Sequence, residues 1–149
     1  VGYSNGGMMA YGLACQGDTV AAAGIMSGIM LPGSCSGDHY TSIIHFHGTS
    51  DGALPYDGST EYQSVADTIA FWVNHNAIPS SSLNTTELDG GQVTQDTYTG
   101  GAENTSVVLY TVQGGGHVWF SDDIGGTSPD EIIWSFLSQY DLNGLASGR

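Results

Sequence analysis

Three segments of the chain are apolar and nearly uncharged, and each leads into a turn that contains glycine. They span residues 19–30, 42–47 and 106–112. In a parallel sheet that is covered on both faces, neither side of a central strand meets water. Such a strand therefore needs a continuous apolar run of this kind. The sequence therefore predicts three buried strands, each followed by a polar loop.

Helical periodicity lies between and beyond these segments. Residues 8–15 read as a short helix, and residues 61–76 repeat apolar side chains at helical spacing after a possible N-cap at Ser59 or Thr60. The segment Ser128-Pro129-Asp130-Glu131 is a capping box with proline at the first helical position. Strands that alternate with helices predict an α/β fold with a mainly parallel sheet flanked by helices.

The remaining segments carry weaker signals. We expect a loop over residues 78–91, a short edge strand over residues 92–99 and a frayed tail after Asp141. A parallel sheet of only three strands is small for helices on both faces. We therefore expect the 149 residues to form the C-terminal part of one larger catalytic domain whose N-terminal strands are absent from this chain.

The charge balance excludes several kinds of partner. The chain has 15 acidic residues against one Lys or Arg and a formal net charge of −14 at pH 7. Such a surface cannot neutralise phosphates, so we expect neither nucleic acid nor an anionic membrane as a partner. No apolar run reaches the length of a transmembrane helix, and the charge favours a neutral substrate over an acidic polymer.

The N-terminal segment Gly2-Tyr3-Ser4-Asn5-Gly6 matches the G-x-S-x-G nucleophile elbow. In an elbow the serine lies between a strand and a helix, on a backbone so tight that small residues flank it at two positions. The N–H group of the next residue, here Asn5, then points into the oxyanion hole. A glycine-rich turn without catalytic function is the alternative interpretation.

The partners of a serine nucleophile would follow in the order acid and then histidine, each in a loop after a strand. Asp51 lies four residues after the segment 42–47, and His117 follows the segment 106–112 and three glycines. These offsets predict a catalytic triad of Ser4, Asp51 and His117, with Asp57 as the reserve acid.

The other histidines have weaker claims to catalysis. His39 lies in a predicted loop and His75 in a predicted helix, where both are expected to be structural or exposed. His45 and His47 share one face of a strand, which is an arrangement that can bind a metal. No cysteine or carboxylate at ligand spacing accompanies them, so we expect neither a metal nor another cofactor.

The two cysteines, Cys15 and Cys35, permit one disulfide that closes a loop of about 20 residues. Two buried free thiols are the alternative. Asn84 and Asn104 each begin a triplet of the N-glycosylation type, although such triplets are common by chance.

Three motifs together resemble the poly(3-hydroxybutyrate) depolymerase and feruloyl esterase group of α/β-hydrolases. They are the segments 2–15 (GYSNGGMMAYGLAC), 47–58 (HGTSDGALPYDG) and 114–119 (GGGHVW). The resemblance covers nearly the whole chain in the right order. It implies an α/β-hydrolase fold and a secreted serine esterase, with Ser4, Asp51 and His117 as the triad. It also implies a disulfide between cysteines like Cys15 and Cys35.

The resemblance leaves the substrate open. The segment 4–9 (SNGGMM) slightly favours a hydroxyalkanoate polyester, and feruloyl or acetylxylan esters of plant polysaccharide are the alternative. Tyr3, Trp119 and Phe120 are candidates to line the substrate site, although Trp119 and Phe120 would equally pack beneath the histidine loop.

Two further interpretations are a serine peptidase of the prolyl-oligopeptidase kind and an inactive fragment or binding protein. The latter arises because a second oxyanion donor normally comes from a loop after an earlier strand. We expect the isolated 149-residue chain to have little or no activity.

Overall fold

The computed structural model describes residues 1–33, 35 and 37–146, and its main feature is a six-stranded mixed sheet. The helices are α1 (Asn5–Gln16), α2 (Val65–His75) and α3 (Pro129–Leu137). The sheet contains β1 (Gly2–Tyr3), β2 (Ala22–Met26), β3 (Ser42–Gly48), β4 (Asn84–Leu88), β5 (Val93–Tyr98) and β6 (Val107–Val112), and a separate hairpin contains β7 (Tyr140–Asp141) and β8 (Gly144–Leu145).

The strand order is β1-β2-β3-β6-β5-β4. The pairs β1–β2, β2–β3 and β3–β6 are parallel, whereas β5 is antiparallel to both β6 and β4. The predicted α/β class with a mostly parallel sheet is thus confirmed, and it is compatible with an α/β-hydrolase fold.

Helices cover both faces of this sheet, which explains why its central strands are apolar throughout. Every residue of β3 is buried. Ile43 packs on one face with side chains of α1 and α2, including Tyr11 and Trp72. Ile44 and Phe46 pack on the other face with α3. The alternation of side chains along β3 therefore joins two hydrophobic clusters across the sheet.

Two predicted elements are shorter than their apolar patterns suggested. The segment 19–30 yields only the five residues of β2, and the chain leaves the sheet at Ser27, whose φ is 48°. Residues 28–30 are nonetheless buried, so their apolar character reflects packing of a loop. Helix α2 begins after Ser64, whose side chain accepts from the Asp67 N–H, and not after Ser59 or Thr60. Ser59 instead caps a preceding turn through the N–H groups of residues 61 and 62.

The loop, edge and tail predictions were wrong in detail. β4 lies within the predicted loop 78–91 and forms one edge of the sheet, so β5 is an internal strand. The largely exposed residues of β4 give no hydrophobic signal, and backbone pairing with β5 alone makes them a strand. Residues 142–145 complete the hairpin of β7 and β8, where the sequence predicts a frayed tail, and residues 147–149 of that tail lie outside the described residues.

A disulfide joins the end of α1 to the segment before β3. The Sγ atoms of Cys15 and Cys35 are 2.08 Å apart. This pairing replaces the alternative of two free thiols. Across the part of the chain that the structure describes, no helix has both the length and the apolar character needed to cross a bilayer.

Candidate active site

Ser4 lies at a sharp turn between β1 and α1. Its φ of 54° and ψ of −118° are unusual for a residue with a side chain, so the backbone of this turn is strained. Its own N–H donates to the Met26 carbonyl, which ties the turn to β2. A Cβ on Gly2 would lie 1.9 Å from the Gly6 carbonyl oxygen, so glycine is required there. A Cβ on Gly6 would meet nothing within 4 Å, so only one of the two flanking glycines is needed for contact reasons.

Asp51 and His117 lie in the loops after β3 and β6, which are neighbours in the sheet. His117 Nδ1 is 2.8 Å from Asp51 Oδ2, and His117 Nε2 is 2.8 Å from Ser4 Oγ. Because an ionised carboxylate only accepts, Nδ1 carries the proton and Nε2 is left as an acceptor for the serine hydroxyl. The structure therefore brings the three predicted residues into one hydrogen-bonded row.

The Asp51 carboxylate is buried, and both of its oxygens accept hydrogen bonds from the protein. Its Oδ1 accepts from the N–H groups of Ala53 at 2.9 Å and Leu54 at 2.8 Å, and its Oδ2 accepts from His117. Burial by itself raises the pKa of Asp51, but the hydrogen bonds from Leu54, His117 and Ala53 outweigh it and the pKa is lowered. Asp51 is thus held as an anion beneath His117.

The N-terminus of α1 faces the same site. Asn5 is the first residue of this helix, so its N–H has no carbonyl partner within the helix. The positive end of the helix dipole lies there too, which makes the position suited to a developing negative charge.

Two exposed aromatic residues, Tyr3 and Trp119, lie near His117. The Tyr3 hydroxyl donates to the His117 carbonyl at 3.0 Å, and the two rings are 5.3 Å apart. The ring centroids of Trp119 and Tyr3 are 6.4 Å apart, and Trp119 Nε1 donates to Asp130 Oδ1 at 3.1 Å. Phe120 instead packs against the α3 side of the core, and a Cβ on Gly115 would meet its ring at 2.9 Å. Tyr3 and Trp119 are therefore accessible beside the triad, whereas Phe120 is half-buried and lines a pocket together with Trp119.

The remaining candidates lie apart from this row. Asp57 is exposed, and His117 takes Asp51 as its partner. His75 Nε2 is 3.0 Å from the His39 carbonyl oxygen, so these two histidines join α2 to the segment before β3. Within residues 1–33, 35 and 37–146, no group of three or more His, Cys, Asp or Glu side chains is arranged to hold a metal ion.

Sequence reasoning missed the connections of His45 and His47. His45 Nε2 is 3.0 Å from His47 Nδ1, and the Tyr11 hydroxyl of α1 hydrogen-bonds to His45 Nδ1. His47 Nε2 is 2.8 Å from the Leu54 carbonyl and 3.3 Å from Asp51 Oδ2. The period-two spacing on a buried strand was the available signal, but it pointed to a metal pair as readily as to this arrangement.

The chain is similar in sequence to fungal feruloyl esterases. No protein-family model matches it. It is 26% identical over 138 residues to the probable feruloyl esterase C of Aspergillus terreus, an alignment that covers 92% of this chain and 48% of that protein. It is 29% identical over 142 residues to feruloyl esterase D of Neurospora crassa, covering 93% and 47% respectively.

A third relative, feruloyl esterase C of Emericella nidulans, is 29% identical over 137 residues, with 91% of this chain and 47% of that protein aligned. The chain thus spans about half the length of the curated relatives it matches. The similarity supports an esterase family.

Proposed function

We propose that this chain carries the catalytic triad of a serine ester hydrolase. The observation that carries the proposal is the continuous row from Ser4 Oγ through His117 to Asp51, with 2.8 Å at each of the two contacts. The row lies at the elbow and the two loops where such an enzyme keeps its nucleophile, acid and base. The similarity to feruloyl esterases supports ester bonds as the substrate.

In the proposed reaction, Ser4 Oγ attacks the ester carbonyl while His117 Nε2 takes its proton. The resulting tetrahedral oxyanion accepts a hydrogen bond from the Asn5 N–H, and Asp51 stabilises the imidazolium. The intermediate collapses to an acyl-enzyme on Ser4 as His117 returns the proton to the leaving alcohol. Water, deprotonated by His117, then attacks the acyl carbonyl. The second tetrahedral intermediate collapses as His117 returns this proton to Ser4 Oγ, which releases the acid and restores the serine hydroxyl.

The proposed substrate is a neutral ester of an aromatic acid, of the kind named by the relatives. Tyr3 and Trp119 offer exposed aromatic surface next to His117, on which a planar acyl group can stack. The net charge of −14 disfavours anionic polymers. The names of the relatives favour this ester over the hydroxyalkanoate polyester that the segment 4–9 suggested. Secretion is also part of the proposal, because the Cys15–Cys35 disulfide suits an oxidising compartment.

The nucleophile is tested with Ser4→Ala in the full-length protein, with Ser50→Ala as the matched control. Ser50 is an exposed serine next to Asp51, so its replacement leaves the row intact. We expect Ser4→Ala to lower kcat at least about 10⁴-fold and to abolish labelling by a fluorophosphonate probe, whereas Ser50→Ala stays close to wild type. Undiminished turnover in Ser4→Ala would disprove the proposal.

The substrate class is tested by comparing kcat/KM for methyl ferulate, a 3-hydroxybutyrate oligomer and a peptide amide. We expect the aromatic ester to be preferred. Trp119→Ala should raise KM for methyl ferulate more than for a short aliphatic ester, because only the aromatic acyl group is deprived of a stacking partner. A preference for the oligomer would restore the polyester, and a preference for the amide would indicate a peptidase.

A further inference from the structure

A buried row of polar side chains lies behind the proposed triad. It runs from Tyr11 on α1 to His45 and His47 on β3 and ends at the loop that carries Asp51. All three side chains are fully buried or nearly so. Burying polar groups in a core costs free energy unless each is hydrogen-bonded, and apolar residues would pack here without that cost. We therefore infer that these polar side chains have a function beyond packing.

The direction of every hydrogen bond in the row follows from its last acceptor. The Leu54 carbonyl can only accept, so His47 Nε2 carries a proton. In a neutral imidazole the other nitrogen, Nδ1, then accepts, so His45 Nε2 must donate to it. His45 Nδ1 in turn accepts from the Tyr11 hydroxyl. The row has one direction, from Tyr11 toward residue 54.

The charge states agree with this assignment. Burial lowers the pKa of His45, and the neighbouring His47 lowers it further. Burial lowers the pKa of His47 as well, although the carbonyl of Leu54, the Asp51 charge and the carbonyl of Gly28 oppose the shift. Burial raises the pKa of Tyr11. All three groups are thus neutral at neutral pH, as the hydrogen-bond directions require.

The end of the row holds Asp51 in two ways. His47 donates to the Leu54 carbonyl at 2.8 Å, and the Leu54 N–H donates to Asp51 Oδ1 at the same distance. The protonated edge of His47 also lies 3.3 Å from Oδ2, which is the oxygen that His117 binds. Both oxygens of the carboxylate are therefore fixed relative to β3.

We propose that His47, oriented by His45 and Tyr11, is a positioning residue that sets the geometry and charge of Asp51 for His117. The inference rests on the proposed esterase function. A row of aligned hydrogen bonds polarises its members, so a change at Tyr11 is felt at Asp51 without any direct contact. The row thus extends the site from the surface loops into the α1–β3 core.

The first test is imidazole ¹⁵N and ¹H NMR of the full-length wild-type protein. His45 and His47 should both be neutral Nε2–H tautomers from pH 6 to pH 8. The titratable groups that face them are Asp51 and Tyr56 in the loop after β3, His117 after β6 and Tyr11 on α1. An Nδ1–H tautomer at either histidine, or a charge change within this range, overturns the proposal.

The second test compares His47→Leu with His47→Gln, which keeps an N–H donor near the position of Nε2. The leucine side chain has no N–H to donate toward the Leu54 carbonyl or Asp51. His47→Leu should therefore lower kcat about tenfold at constant KM. The value of kcat is calculated per active site, as counted by titration with the fluorophosphonate. Without the His47 N–H, the negative charge of Asp51 is less stabilised and attracts protonated His117 more strongly. The pH at which kcat/KM falls on the acid side should therefore rise by about half a pH unit. His47→Gln should keep kcat and the position of the acid side of the kcat/KM profile close to those of the wild type. Equal reductions in the two variants with an unmoved acid side of the profile would mean that His47 serves packing alone.

Tyr11→Phe tests the row at its far end and keeps the ring that stacks on Trp72. Tyr56→Phe is its matched control, because Tyr56 packs against the His47 ring but its hydroxyl hydrogen-bonds to Thr111 and not to a histidine. We expect Tyr11→Phe to lower kcat about threefold and to shift the downfield ¹H signal of the His117–Asp51 proton, and Tyr56→Phe to do neither. An unshifted signal in Tyr11→Phe overturns the proposal for Tyr11 and His45.

Failure of this inference is distinguishable from failure of the esterase function. If Ser4→Ala keeps its activity, the enzyme proposal falls, while the tautomers of His45 and His47 are still measurable in the same protein. If Ser4 is essential but the tautomers or the His117 proton signal differ from those expected, the enzyme proposal stands and the positioning role is disproved.

Discussion

Gly48 and Gly115 are in backbone contact where β3 and β6 end. A Cβ on Gly48 would lie 2.1 Å from the Gly115 carbonyl oxygen, and that oxygen accepts a hydrogen bond from the Ser50 N–H at 2.9 Å. Gly48 is three residues before Asp51, and Gly115 is two residues before His117. The contact therefore sets the distance between the loops that carry Asp51 and His117.

Gly48→Ala should separate these two loops. The methyl group overlaps backbone that cannot rotate away, so we expect the free energy of unfolding to fall by about 2 kcal/mol or more. We also expect kcat to fall about 100-fold, because displacements near 1 Å have that effect on catalytic geometry. Urea unfolding and methyl ferulate hydrolysis measure the two effects. Gly52→Ala in the same loop is the control, since its Cβ would meet nothing within 4 Å; similar behaviour of the two variants would contradict the prediction.

Stability should fall as the pH drops below about 6.5, the ordinary pKa of histidine. Burial lowers the folded-state pKa of His45 and His47, so in this range the unfolded chain binds protons that the folded protein does not. Each histidine then reduces the free energy of unfolding by up to about 1.4 kcal/mol per pH unit. Asp51, whose pKa is also lowered, contributes in the same direction only below about pH 4.

Urea unfolding at pH 7.5, 6.5 and 5.5 measures this slope. His47→Gln removes one of the two buried histidines, so its slope between pH 6.5 and 5.5 should be smaller than that of the wild type even if its stability at pH 7.5 is lower. Equal slopes would show that His47 does not resist protonation.

Reduction of the Cys15–Cys35 disulfide should destabilise the protein by about 3 kcal/mol, because the loop it closes spans 20 residues of sequence. The Tm measured with and without dithiothreitol gives the effect. The double variant Cys15→Ser/Cys35→Ser should match the reduced wild type and should not respond to the reductant. An unchanged Tm in a sample whose thiols are shown to be free would refute the expected contribution.

Ser64→Ala should cost about 1 kcal/mol, because Ser64 Oγ accepts from the Asp67 N–H at 3.0 Å and caps α2. Thr60→Ala should be close to neutral, since Thr60 is exposed and lies outside the helix. Chemical denaturation of the two variants decides between the cap suggested by the hydrophobic pattern and the cap seen in the structure. A larger effect of Thr60→Ala would favour the former.

Much of the candidate site could be predicted because its signals are local. The elbow around Ser4 depends on a few consecutive residues, and Asp51 and His117 follow recognisable strands. The cap of α3 was also predictable, since Ser128 accepts from the Glu131 N–H as the capping box implies. The role of these residues in catalysis stays a prediction until Ser4→Ala is measured.

Elements that depend on distant partners could not be predicted in the same way. β4 has polar, exposed residues and is a strand only because β5 offers its backbone. The apolar run 19–30 did not show where β2 ends, because a buried loop and a buried strand need the same apolar residues.

By itself, the sequence determined the alternation of strands and helices, the acidic surface and the order of Ser4, Asp51 and His117, since periodicity, composition and motif are properties of neighbouring residues. Only the tertiary structure decided the strand order and the contact of Gly48 with Gly115. It also decided that Tyr11 meets His45, 34 residues away, and that His47 turns its N–H toward Leu54 and Asp51. Hydrogen-bond partners and backbone clearances between remote segments exist only once the core has packed, so no local pattern specifies them.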